Sequence, residues 1–173
     1  MKRLERPKNT NGHLQFRSAF IWEKEIEDFV KEHIQGYTLN VPCGQSKLGD
    51  ERLDIEANLS MRKAYDMFKQ MLPYPPCTFD TVISDPPWKV GYYLRPRLFF
   101  ELVRVCKIGG HIIYNATWIP QSKHVKLIES WIRQSASFGN VSIIAIFEQI
   151  SHCPEELAVP PSPKGEGILE EFL

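Results

Sequence analysis

The sequence predicts an α/β fold, a mainly parallel twisted sheet with helices on both faces, and three observations carry that reading. Short apolar, β-rich runs alternate with segments whose apolar residues recur at helical spacing, which is the pattern of strand–helix–strand units. The run Phe79-Asp80-Thr81-Val82-Ile83-Ser84 is apolar enough for a strand buried on both faces, as parallel sheets require. The turn chemistry also falls at strand ends: Pro42-Cys43-Gly44 after one run and Asp85-Pro86-Pro87-Trp88 after another.

Taken in order, residues 1–17 are polar and basic, with Lys2, Arg3, Arg6, Lys8 and Arg17 set against Glu5, and read as a mobile arm. Trp22, Ile26, Phe29, Val30 and Ile34 mark an amphipathic helix that Gly36 can end. Residues 37–41 form a first strand, 53–55 a second, and 65–68 a third after a helical turn. Pro73, Pro75 and Pro76 stiffen the connector into the fourth strand at 79–84. Leu98, Phe99, Leu102, Val103, Val105 and Cys106 predict a helix that Pro96 could start and Gly109-Gly110 ends, followed by a strand at 111–115. Ser122 caps an expected helix with Val125, Ile128, Trp131 and Ile132 on its apolar face, and 141–150 supplies one long strand or two joined by a kink. From 153 to 173, four prolines and two glycines predict a tail, leaving 18–152 as one folded domain.

The composition narrows function. At 173 residues one domain accounts for the chain, without room for a second recognition domain. Lysine plus arginine number 21 and aspartate plus glutamate 21, so no overall positive field gathers nucleic acid and any such binding uses local patches. The cysteines at 43, 77, 106 and 153 show no metal-ligand spacing and read as reduced thiols, so no metal is expected. The absence of a signal-like apolar segment and of a run long enough to span a bilayer predicts a cytoplasmic protein without a membrane partner.

The chemistry centres on Asp85-Pro86-Pro87-Trp88. A carboxylate, two rigid prolines and an indole at a strand's carboxyl end stand where open α/β sheets bind ligands. The Asp85 side chain and the Pro86 carbonyl can accept both hydrogens of a planar aromatic amine, while Trp88 stacks on its ring. That set suits an adenine-like group.

In the order of these signals, the chain resembles the class I S-adenosylmethionine-dependent methyltransferases. Asp85-Pro86-Pro87-Trp88 resembles the catalytic motif of amino-methyltransferases that modify adenine N6. The resemblance covers about residues 37–150. It implies S-adenosylmethionine as cofactor, held by Asn40, Pro42, Cys43 and Gly44 of the first motif, by Asp54 on the ribose hydroxyls with Glu56 as fallback, by Asp66 on the adenine amino group, and by Asp85. Only Gly44 stands where that family often carries several glycines. Substrate contacts implied are stacking by Trp88 and by Tyr92 or Tyr93, phosphate contacts from Lys89, Arg95, Arg97 and the arm, and Asn115 and Trp118 bordering the pocket. The expected substrate is DNA or RNA, unpaired or with its base flipped out. A partner subunit or a homodimer would supply further recognition. The competing readings are methylation of cytosine N4 or of a protein glutamine amide, and a catalytically silent scaffold of the same fold.

Overall fold

The computed structural model describes residues 24–56, 58, 61, 65–87, 94–134 and 141–151. Among them, two helices and six strands follow in the order α1 (Lys24–Glu32), β1 (Thr38–Asn40), β2 (Glu51–Arg52), β3 (Phe79–Ser84), α2 (Leu94–Val105), β4 (Cys106–Ala116), β5 (Val125–Gln134) and β6 (Val141–Gln149). They build one sheet of order β2-β1-β3-β4-β6-β5. The first four pair in parallel, while β6 runs antiparallel to both β4 and β5.

Among the described residues, one helix covers each sheet face. On one face, Leu98, Phe99, Leu102 and Val103 of α2 cover Val82, Ile112, Tyr114, Ala145 and Phe147. Phe99 meets Tyr114 and Phe147 edge-on, with ring centroids 5.4 and 5.3 Å away, the tilted geometry that aromatic quadrupoles favour. On the other face, Ile26 and Val30 of α1 lie over Ile83, Ile113, Ile144 and Ile146, with Phe29 against Trp131. The outer side of α1 carries the Lys24–Asp28 and Lys31–Glu27 pairs. Just past α1, Gly36 turns the chain with φ +56°, and a Cβ there would fall 2.5 Å from the Asp80 carboxylate. Only glycine fits such a position.

The connector into β3 is stapled to α2 from inside. Arg104 donates from Nε and Nη2 to the two Glu101 carboxylate oxygens at 3.0 and 2.8 Å. It also donates to the Tyr74 and Leu72 carbonyls at 2.8 and 2.9 Å. Glu101 in turn accepts the Leu72 amide at 2.8 Å. Both side chains are buried, and this unit fixes the approach of residues 72–78 to the sheet.

Five expectations need correction. The second strand is Glu51–Arg52, so Asp54 lies just beyond its end rather than on it. Residues 65–68 form no strand; 67–69 are a turn. Gly109-Gly110 lie within β4, which begins at Cys106 directly after α2. The helix expected from Val125 to Ile132 is strand β5. A register shift between Leu127 and Glu129 inserts Ile128 as an extra residue, so residues on either side of it change parity. Val125, Leu127 and Ile132 thereby share the α2 face, whereas Trp131 turns to α1, and the spacing imitates a helix. Among the thiols, Cys43 and Cys106 are free and buried, but Cys77 is disulfide-bonded, which corrects the reading of all four as reduced. The arm at 1–17 and the tail at 153–173 lie outside the described residues. No helix among those described is long and apolar enough to cross a membrane.

Candidate functional site

Strand order places the site before any side chain is considered. β1 has β2 on one side and β3 on the other, so the chain reverses direction of travel across the sheet between β1 and β3. Open parallel sheets bind ligands at the carboxyl ends of strands flanking such a switch. Here those ends are Asn40 and Ser84, followed by Val41-Pro42 and Asp85. The Val41 amide continues the ladder to the Ile83 carbonyl at 2.9 Å, keeping the two exits side by side.

On the β1 side, the loop is drawn back on itself. The Val41–Pro42 peptide is cis, and Gly44 has φ +50°. Cys43 donates its amide to the Leu53 carbonyl, and Leu53 donates to the Asn40 carbonyl, at 2.9 and 3.0 Å. Asp54, 6 % exposed, accepts the Gly44 amide on Oδ2 at 2.9 Å and the Glu56 amide on Oδ1 at 3.1 Å. Asp54 is therefore the clasp of the Pro42–Gly44 loop. Each of its oxygens carries two acceptor directions, so two remain beyond those amides. The Asn40 side chain is buried and donates to the Leu48 carbonyl at 3.2 Å, a structural use. Burial, and then the nearby Asp54 charge, push the Cys43 thiol up to about 11, so it stays protonated at neutral pH.

Asp66 reaches the same edge by a different route from a strand end. The amide of Tyr65 bonds the Asp54 carbonyl at 2.8 Å. Asp66 Oδ1 then accepts the Phe68 amide at 3.1 Å, and Oδ2 pairs with Lys69 at 3.3 Å. Arg97 donates from Nη2 to the Lys69 carbonyl at 3.4 Å.

On the β3 side, the register opposes Ser84 to Tyr114, so the next residues, Asp85 and Asn115, emerge together. Asn115 donates from Nδ2 to Asp85 Oδ1 at 2.9 Å. Pro86, Pro87, Arg95, Tyr114, Asn115 and Trp118 line a cleft beside this pair. Asn115 Oδ1, Tyr114 Oη and Trp118 Nε1, with Ser84 Oγ on the neighbouring strand, are buried without a partner among the described residues. Buried polar groups are nearly always bonded, so such a concentration at one strand edge marks a place for a ligand. Burial pushes the Tyr114 phenol up to about 12; Arg95 opposes that and Asp85 adds to it. Tyr114 is thus a neutral hydroxyl donor at physiological pH.

The structure therefore brings Pro86, Pro87, Arg95 and Asn115 to one cleft, with Asp85 outside its lining and bonded to Asn115, and Pro42, Cys43, Gly44, Asp54 and Asp66 to the same sheet edge. Trp88, Lys89, Tyr92 and Tyr93 lie outside the described residues. Sequence reasoning missed Tyr114, whose signal was its place just before Asn115 at a strand exit. Trp118, expected to border the pocket, lines the cleft.

No family model and no curated protein sequence matches the chain. Solved structures match it in shape. The N-methyltransferase NodS from Bradyrhizobium japonicum WM9 superposes with TM-score 0.52 at 11 % identity, over 73 % of this chain and 92 % of that one. The same protein with S-adenosyl-L-homocysteine gives 0.51 at 11 %, over 67 % and 79 %. A SAM-dependent methyltransferase from Methanosarcina mazei gives 0.52 at 10 %, over 72 % and 98 %. The architecture is the Rossmann-like class I methyltransferase fold.

Proposed function

We propose that this chain is an S-adenosylmethionine-dependent N-methyltransferase acting on a planar exocyclic amine, adenine N6 of unpaired or flipped-out nucleic acid. The observation that carries the reading is the Asp85–Asn115 pair at the switch-point edge, where Tyr114, Asn115 and Trp118 carry buried donor and acceptor atoms without a partner among the described residues. A heteroaromatic amine brings both complements, N–H donors and a ring-nitrogen acceptor. The shared fold with methyltransferases supports the cofactor class.

The β1-side loop fits that cofactor. Asp54 has acceptor directions left for two hydroxyls, Asp66 is tethered next to it, and the Pro42–Gly44 backbone closes the edge. When bound, the cofactor supplies an electrophilic sulfonium methyl group. The protein's part is alignment. Asp85 and the Pro86 carbonyl accept the hydrogens of the amine, whose lone pair is otherwise delocalised into the ring, and thereby favour a pyramidal nitrogen. Transfer of that methyl group would break its bond to sulfur, leave a neutral thioether and make the amine nitrogen cationic; the Asp85 carboxylate is the adjacent acceptor for the proton that nitrogen would shed. Fixing two reactants in this geometry supplies much of the rate. Trp88 stacks on the base, Lys89, Arg95 and the basic arm contact phosphates, and a partner subunit or second copy extends recognition.

Calorimetric titration with S-adenosylhomocysteine tests the cofactor half of the reading. Saturable binding to one site is expected, weakened by about 1 to 3 kcal/mol in Asp54→Ala, since a buried charged acceptor is lost and the Gly44 loop is released. A wild-type protein that shows no binding would be a silent scaffold of this fold.

A further inference from the structure

We propose that Tyr114 reads the acceptor edge of the substrate base: its hydroxyl donates to a ring nitrogen flanking the exocyclic amine, so the cleft takes an amine set beside a ring acceptor. This rests on reading the edge as an amine-methylation site and adds the contact that holds the ring. Residues of β4 alternate between the two cores, with Ile112, Tyr114 and Ala116 in the one under α2 and Ile113 in the one under α1. The Tyr114 ring is therefore on the α2 side, edge-on to Phe99 at 5.4 Å. Tyr114 and Ala116 line one cleft with Pro86, Pro87 and Arg95, which opens α2. The charges that act on the phenol are those of Arg95 and Asp85, both at the carboxyl edge of the sheet, so the hydroxyl end of the ring faces the cleft rather than the core.

The fold makes no use of that hydroxyl. Tyr114 is fully buried, and its Oη has no partner among the described residues, although buried polar groups are nearly always bonded. Burial keeps the phenol protonated at neutral pH, so it has a proton to give. Trp118, which lines the same cleft, holds a second buried group without a described partner, Nε1, and an indole nitrogen only donates. Asp85 and the Pro86 carbonyl take the hydrogens of the amine. What an adenine still presents are acceptors, N1 beside the amine and N7 across from it, and a donor is their complement.

The test uses the full-length protein saturated with S-adenosylhomocysteine and single-stranded thymine pentanucleotides whose central base is adenine, 1-deazaadenine or 7-deazaadenine. Fluorescence anisotropy gives the affinities for wild type and Tyr114→Phe, which keeps the ring and its Phe99 contact. Wild type should bind at least one analogue about tenfold more weakly than adenine, the size of one hydrogen bond in a buried site. Tyr114→Phe should bind adenine as weakly as wild type binds that analogue and should no longer distinguish the two, the signature of a single shared contact. The melting temperature of the free Tyr114→Phe protein should equal or exceed that of wild type, because the hydroxyl removed has no partner in the fold. Equal wild-type affinity for all three bases, discrimination that persists in Tyr114→Phe, or a lower melting temperature of the variant overturns the inference. Should wild type still transfer methyl groups to adenine in that case, the enzymatic reading stands and only the role of Tyr114 falls. A wild type that neither binds these oligonucleotides nor transfers methyl groups removes both.

Discussion

Asp85→Asn should lower the single-turnover rate of methyl transfer by about a hundredfold or more, the loss expected when a contact that strengthens in the transition state is removed. The substitution preserves shape, so the proline turn and the end of β3 stay as they are. Its chemistry is inverted. Asn115 presents its amide nitrogen at 2.9 Å, so the introduced amide must offer its oxygen there and turn its own NH2 toward the incoming amine. Donor then meets donor, and neither the charge nor the proton acceptor remains. Thermal unfolding should stay close to wild type, and the rate is read at saturating cofactor, which separates lost chemistry from lost structure. A folded Asp85→Asn protein with a near-normal rate would remove Asp85 from the reaction.

The second large effect concerns stability. Glu101→Gln should cost about 3 to 5 kcal/mol in urea denaturation, because it leaves the Arg104 guanidinium charged and buried without its counter-ion. That approaches the whole margin of a small domain. The usual remedy for a broken buried pair, apolar replacement of both members, should not work here. Glu101 also accepts the Leu72 amide, and Arg104 also serves the Leu72 and Tyr74 carbonyls. The double variant Glu101→Leu/Arg104→Met would bury those three backbone groups without partners, each at a cost of about 1 to 3 kcal/mol. Full recovery of stability in the double variant would show that the connector finds other partners.

Legibility in the sequence tracked how local the determining physics was. Phe79–Ser84 reads as a strand because Phe79 and the β-branched run Thr81-Val82-Ile83 have few alternatives, and the helix ending before Gly36 declares itself by spacing and a stop residue. β5 misled because one extra residue at Ile128 breaks the alternation that identifies strands, and only pairing with β6 reveals it. Asp66 was assigned a strand end but is held by a turn and by the Tyr65–Asp54 bond. The same holds in the site. Asp85 and its prolines stood out through composition, whereas the Asp85–Asn115 bond depends on the register between β3 and β4, which no local pattern encodes. The double duty of Asp54, clasp of the Gly44 loop and candidate hydroxyl acceptor, likewise emerges only when the loop is folded back.

The central claim is that the edge at Asp85 and Asn115 methylates an exocyclic amine. Its most direct test is transfer of an isotopically labelled methyl group from S-adenosylmethionine to single-stranded DNA and RNA oligonucleotides, with the product nucleosides identified by mass spectrometry. The account predicts label on adenine N6, formed about a hundredfold or more slowly by Asp85→Asn and absent from oligonucleotides lacking adenine. A protein that binds S-adenosylhomocysteine yet labels no nucleic acid, or labels an Asp85→Asn reaction at the wild-type rate, would contradict it.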